Sequence, residues 1–235
     1  MGEFARAFVE AGHLLVALDP GILGIVALSL RVSLTAVAIA TLIALPLGAG
    51  LALARFPGRG IPVTVLNALM GLPPVVVGLA VYLLLSRAGP LGEFGLLFTP
   101  GAMVVAQAIL VLPLIAALTR QTVEDLAAEY REDLAALGAG RLRMLPSLLR
   151  EGRFSLLTAV LAGFGRAVAE VGAVIIVGGN IADVTRVMTT AITLETAKGN
   201  LGLALGLGFV LIGITIAINA LAMTVTRVAR TRYGA

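Results

Sequence analysis

Five apolar stretches, each long enough to cross a bilayer as a helix, constrain this chain more than any other feature. They run over about 22–54, 62–86, 101–119, 154–178 and 201–226. A helix needs roughly 20 apolar residues to span a ~30 Å hydrocarbon core, and none of the stretches has the alternation of a barrel strand. Lipid offers no hydrogen-bond partners, so each stretch must satisfy its own backbone by coiling. The expectation is an all-α polytopic membrane protein with about five transmembrane helices in a single transmembrane domain over residues 1–235. With 59% hydrophobic and 13% charged residues and a mean hydropathy of +1.06, little is left to cover a separate soluble domain.

The links between these stretches differ in charge. Segments 55–61 and 120–153 and the tail after 226 hold most of the arginines, whereas the alternate set holds only Arg6, Arg87, Arg186 and Lys198. Basic residues concentrate on the cytoplasmic side, so the amino terminus is expected outside and the carboxyl terminus in the cytoplasm. The same rule accounts for the net charge of +4, and no nucleic-acid partner is needed to explain it. Residues 1–20, MGEFARAFVEAGHLLVALDP, lack the basic region and cleavage site of a secretory signal and are read as mature protein. Their stripe of Phe4, Phe8, Leu14, Leu15 and Leu18 is that of an interfacial helix.

Two places break the pattern of plain spans. Pro73 and Pro74 lie inside the second apolar run, where they remove two backbone donors and prevent a straight helix. That is equally the mark of a transport pathway and of a structural kink packed against its neighbours. The segment GGNIADVTRVMTTAITLETAKGN, at 178–200, has Val187, Met188, Ala191, Ile192 and Leu194 at helical spacing, with Thr189, Thr193 and other threonines on the rest. It reads as a short helix at the outer interface, either closing the mouth of a pathway or capping the bundle.

Catalytic chemistry is not encoded. There is no cysteine, the one histidine is His13, and no metal-binding, nucleophile-elbow or phosphate-loop motif occurs. No catalytic or metal-binding residue is expected, and any ATP-driven process needs its ATPase on another polypeptide. The charges to explain are Arg166 and Glu170 in the fourth stretch. Four residues apart, they are expected to share one helical face and to pair or meet polar partners, beside a substrate route or as an internal salt bridge.

Residues 129–153, EYREDLAALGAGRLRMLPSLLREGR, form a charged, helix-forming island on the expected cytoplasmic side. Leu134 and Leu137 share a helical face, Gly138-Ala139-Gly140 permits a turn, and Arg141 and Arg143 begin a second short helix. Such a segment is suited to lie in a groove of a soluble protein. Glu132, Ala135, Ala136, Gly138 and Ala139 resemble the "EAA" loop of bacterial ABC-transporter permeases. Here the alanines after the glutamate are replaced by Asp133 and Leu134, and the later Leu-Pro positions hold Arg150 and Glu151.

Three separated stretches, 71–92, 147–181 and 185–200, are together similar to the permease subunits of tungstate transporters, with molybdate and sulfate permeases as nearest relatives. The resemblance implies a type I importer permease with cytoplasmic coupling helices in the inner membrane. It implies a homodimer in a lipid bilayer, a cytoplasmic ABC ATPase dimer, and an extracytoplasmic oxyanion-binding protein. ATP and Mg would be held by the ATPase, with no cofactor in this chain. It makes Glu132, Ala135, Ala136, Leu137, Gly138, Ala139, Gly140 and Arg141 the ATPase-coupling residues. Arg166, Glu170, Pro73, Pro74, Thr189 and Thr193 are the candidates along the pathway. The alternatives are a molybdate or sulfate permease, or a secondary transporter, which would need a coupling-ion site and would have no use for the island.

Overall fold

A computed structural model of the chain describes Val9 and residues 20–130 and 141–233, with side chains described up to 224 except at 141–143. All regular structure among the described residues is helical. In chain order the elements are α1 (Pro20–Leu53), α2 (Gly60–Leu69), α3 (Pro74–Leu85), a 3-10 turn at Gly92–Phe94, and α4 (Pro100–Glu129). They continue with α5 (Arg141–Glu151), α6 (Arg153–Val168), α7 (Gly172–Gly178), α8 (Met188–Ala197) and α9 (Leu201–Tyr233).

Three helices are long and apolar enough to cross a membrane singly: α1, α4 and the Leu201–Thr224 part of α9. The pairs α2 with α3 and α6 with α7 pass the same test only when each is counted as one broken span, giving up to five crossings. The expected positions hold, with one extension. The third stretch was expected to end at 119, but α4 continues to Glu129. Its 30 residues span about 45 Å, some 15 Å more than the hydrocarbon core needs. The interfacial helix expected over residues 1–20 falls outside the described residues apart from Val9, which is helical and exposed.

The chain forms two compact units. One comprises the described residues up to Thr35, Pro74–Gln107 and those from Val168 onward; the other comprises Ala36–Pro73 and the described part of Ala108–Ala167. In the second, α1 approaches α4 at Gly48, which follows the buried Ala36, Ala40 and Ala44 at i+4 spacing along one face of α1. A Cβ added at Gly48 would lie 2.3 Å from the Ala116 carbonyl oxygen, so only glycine permits this approach. Gly163 of α6 does the same against Val111 and Ile115. Helix α5 begins at Arg141, as expected, and packs Leu148 onto Val123 of α4 and Ala49 of α1.

In the first unit, α3 packs on α7, and α8 on α9. The loop before α4 is tied down by Phe98, at φ +60°, whose backbone N–H donates to the Val177 carbonyl at 2.9 Å. Its ring meets Tyr82 edge to face, with centroids 6.1 Å apart. Gly179, at φ +71°, ends α7, and a Cβ there would lie 2.9 Å from the Phe98 ring.

Candidate functional site

The polar and irregular features of the first unit converge where α3 and α7 begin. Helix α6 ends at Val168, and residues 169–171 interrupt the helical path before α7 starts at Gly172. Glu170 sits in this break with 3% of its surface exposed. Its Oε1 accepts a hydrogen bond from the Ala173 backbone N–H at 3.1 Å, satisfying a donor that α7 leaves open at its first turn. Its carbonyl accepts from the Thr189 hydroxyl at 2.8 Å, which ties the break to α8. A carboxylate favours a helix amino terminus electrostatically as well.

The break in the other span lies directly beside it. A Cβ built on Gly172 would be 3.1 Å from Val75 Cγ2, 3.6 Å from Glu170 Oε1 and 3.7 Å from Pro74 Cβ. One turn further along, Gly78 faces the backbone of Ala173, whose Cα lies 2.8 Å from a Cβ added at Gly78. Two interrupted helices thus begin side by side, with one buried carboxylate between proline, glycine and threonine. The amino end of α8 is fixed there too, because the Met188 N–H donates to the buried Ser29 hydroxyl of α1 at 2.8 Å.

Of the candidate pathway residues, the structure brings Pro74, Glu170 and Thr189 together. Pro73 is exposed in the link before α3, and Thr193 is exposed one turn along α8, with its hydroxyl bonded to the Thr189 carbonyl. Arg166 occupies the last turn of α6. The expectation that Arg166 and Glu170 lie on one continuous helical face is corrected: α6 ends at Val168, between them, and the Glu170 carboxylate caps the next helix. The expected apolar and threonine-bearing sides of α8 are corrected too. Thr189, Thr190 and Glu195 are buried alongside Met188 and Ala191, because Glu170 and the backbone at Val187 supply partners for the hydroxyls. The coupling candidates Glu132, Ala135, Ala136, Leu137, Gly138, Ala139 and Gly140 lie outside the described residues; Arg141 opens α5.

Sequence reasoning missed Gly78 and Ser29, since a lone glycine or serine in an apolar run gives no hint of which distant segment it meets. It also missed Glu195, which closes the α8–α9 turn. The Lys198 Nζ donates to Glu195 Oε1 at 2.8 Å and the Asn200 Nδ2 to Oε2 at 3.0 Å. The hydrogen bond from Lys198 holds this carboxyl below its ordinary value of 4.5 in spite of the opposing effect of burial, with help from Asn200 and from the charges of Lys198 and Arg186. A lowered folded-state value means that the turn's stabilisation is complete above pH 4.5 and is lost as pH falls through the folded value. Thermal melting of the wild type is therefore expected to drop more steeply below pH 4.5 than that of Glu195→Gln. Parallel profiles of the two proteins across that range would contradict this account.

Among the described residues, no group of three or more His, Asp or Glu is placed to hold a metal ion. Backbone breaks inside hydrocarbon are tolerated only where protein or a watery cavity satisfies the freed groups, and discontinuous helices recur at the sites of many membrane transporters. The model of the family described as "Binding-protein-dependent transport system inner membrane component" matches residues 44–233. The chain belongs to this family: it is a multi-pass inner-membrane permease, a transport subunit and not an enzyme. It is 44% identical over 220 residues to the tungstate uptake system permease protein TupB of Peptoclostridium acidaminophilum, covering 94% of this chain and 96% of that one. A probable anion ABC transporter permease protein of Haloferax volcanii is 42% identical over 205 residues, or 85% of this chain and 88% of the relative. The molybdenum transport system permease protein ModB of Escherichia coli is 32% identical over 230 residues, covering 89% and 95% respectively.

Proposed function

We propose that the chain is the permease of an ATP-driven importer that carries tungstate across the inner membrane by alternating access. The observation that carries the substrate is the 44% identity to a tungstate permease along nearly the whole length of both chains. The mechanism rests on the adjoining breaks at Pro74 and Glu170. A doubly charged oxyanion cannot cross hydrocarbon, and interrupted helices offer backbone groups and a place to change shape. Two copies of the chain form the pathway, with Pro73, Pro74, Arg166, Glu170, Thr189 and Thr193 along it or steering its movement. The amino terminus lies outside, where a binding protein delivers the anion, and the carboxyl terminus lies in the cytoplasm.

Each copy docks one ATPase through residues 129–153, with Glu132, Ala135–Arg141 at the contact, and ATP and Mg stay on the ATPase. A molybdate permease is the second reading, favoured by the full-length similarity to ModB. Tungstate and molybdate share charge and nearly share size, so permease residues distinguish them poorly.

Reconstitution in liposomes with the ATPase and the binding protein tests the proposal. Tungstate uptake should require ATP and be competed more weakly by molybdate and least by sulfate. Uptake that proceeds without the ATPase, or that prefers sulfate, overturns it. Because the chain has no cysteine, single cysteines at Val75, Val76, Thr189 and Thr193 report on the pathway directly. Labelling from water at one or more of them is expected to change when the ATPase binds ATP. Labelling unaltered by nucleotide at all four would move the gate elsewhere.

A further inference from the structure

The cytoplasmic ends of α1 and α4 carry an ionic cluster that none of the features above uses. Arg59 lies in the link between α1 and α2, immediately before Gly60 opens α2. Its Nε donates to the Leu51 carbonyl at 2.9 Å and its Nη2 to the Ala52 carbonyl at 3.2 Å, so it closes the open carbonyls at the end of α1. The same Nη2 donates to Glu124 Oε1 of α4. The other carboxylate oxygen, Oε2, accepts from Arg120 Nη1 at 2.5 Å, one turn back on α4. Glu124 is thus held between two guanidinium groups, and all three side chains are partly buried, at 15–32% exposure.

The position of this cluster in the chain gives it meaning. Glu124 lies on the part of α4 that continues beyond the expected end of the span, five residues before α4 gives way to the docking segment. Arg59 leads directly into α2, the first half of a broken span. Packing of Leu148 on Val123 and Ala49 joins α5 to α4 and α1, but it does not touch the start of α2. The Arg59–Glu124 contact is the polar tie, among the described residues, from the α4 extension to the residue preceding α2. A planar guanidinium with fixed donors resists bending at such a joint better than a point charge would.

We infer that Glu124, held by Arg59 and Arg120, is a positioning residue that carries movement of the ATPase-docking segment into α2. This rests on the proposed docking role of residues 129–153 and adds the route by which docking reaches a broken span. Without the tie, the α4 extension moves with the ATPase while α2 stays behind. Hydrolysis then continues and transport falls.

The test uses the reconstituted complex of this chain, its ATPase and a tungstate-loaded binding protein, comparing wild type with Glu124→Gln, Glu124→Asp and Arg59→Lys. Tungstate transported per ATP hydrolysed is expected to fall at least about fivefold in Glu124→Gln, with Glu124→Asp between it and wild type, while ATPase co-purification is unchanged. In a further variant, Arg59→Cys with Glu124→Cys, a short bis-thiol linker should restore the ratio, and cleaving the linker should abolish it again. An unchanged transport-to-hydrolysis ratio in Glu124→Gln overturns the inference. So does a parallel loss of both activities that follows the amount of folded complex, which would make the cluster a structural clasp. Should Glu124→Gln not assemble, Glu124→Asp and Arg59→Lys are read by the same ratio. The wild-type arm separates the two claims, because failure of ATP-driven uptake there counts against the proposed function and not against the tie.

Discussion

Replacing Gly78 with valine is expected to prevent the chain from reaching its folded form, and alanine at the same place is expected to destabilise it clearly. The reason is geometric. An alanine Cβ would stand 2.8 Å from the Ala173 Cα and 3.2 Å from its carbonyl oxygen, and both are backbone atoms that cannot rotate aside. Overpacking of this kind costs about 1–3 kcal/mol for one or two added carbons. A branched side chain would force α3 and α7 apart along their whole shared face. Because the clash is with backbone, Ala173→Gly should fail to rescue Gly78→Ala. Gly165 provides the contrast: nothing lies within 4 Å of a Cβ there, so Gly165→Ala should melt at or slightly above the wild-type temperature. Thermal melting in mild detergent reads all four variants. A Gly78→Val protein that melts and transports like the wild type would show that α3 and α7 do not meet in this way.

Glu170→Ala is expected to lose about 1–3 kcal/mol of stability and most of its transport, whereas Glu170→Gln should keep most of the stability. Alanine removes the acceptor of the buried Ala173 N–H and leaves that donor unsatisfied in an apolar surrounding. Glutamine retains a side-chain oxygen that can take the carboxylate's place. The pair therefore separates capping from charge: the difference in melting measures the cap, and any loss of uptake in Glu170→Gln measures the charge. The charge-swapped variant, Arg166→Glu with Glu170→Arg, should not restore the cap, since an arginine at 170 offers the Ala173 N–H no acceptor. Equal melting of wild type and Glu170→Ala would contradict the capping role.

The parts of this fold that depend on length and local composition were legible in the sequence. Apolar runs located every span, and the paired prolines at 73 and 74 marked the break before α3. What stayed hidden depends on which distant segments meet. The stretch GRAVAEVGA reads as unbroken helix because it contains no proline; α6 nevertheless ends at Val168, where Glu170 can cap α7 and Thr189 can take its carbonyl. The bond between Ser29 and Met188 joins residues 159 apart, and nothing near either one signals the other. Arg59 and Glu124 were visible only as members of two links in the arginine-rich set, 55–61 and 120–153. A count of charges per loop gives orientation but cannot give pairing.

The close approach of α1 to α4 at Gly48 bears on motion as well as on packing. Gly48 and Ala116 have no side-chain rotamers to immobilise, so bringing α1 and α4 into contact at this point gives up almost no side-chain entropy. A leucine contact of equal area would freeze several torsions each time it closed and release them each time it opened. Contact through methyl groups and bare backbone lets the two helices part and rejoin with a small entropic change, which suits a protein that must repeat the same movement with every molecule it carries.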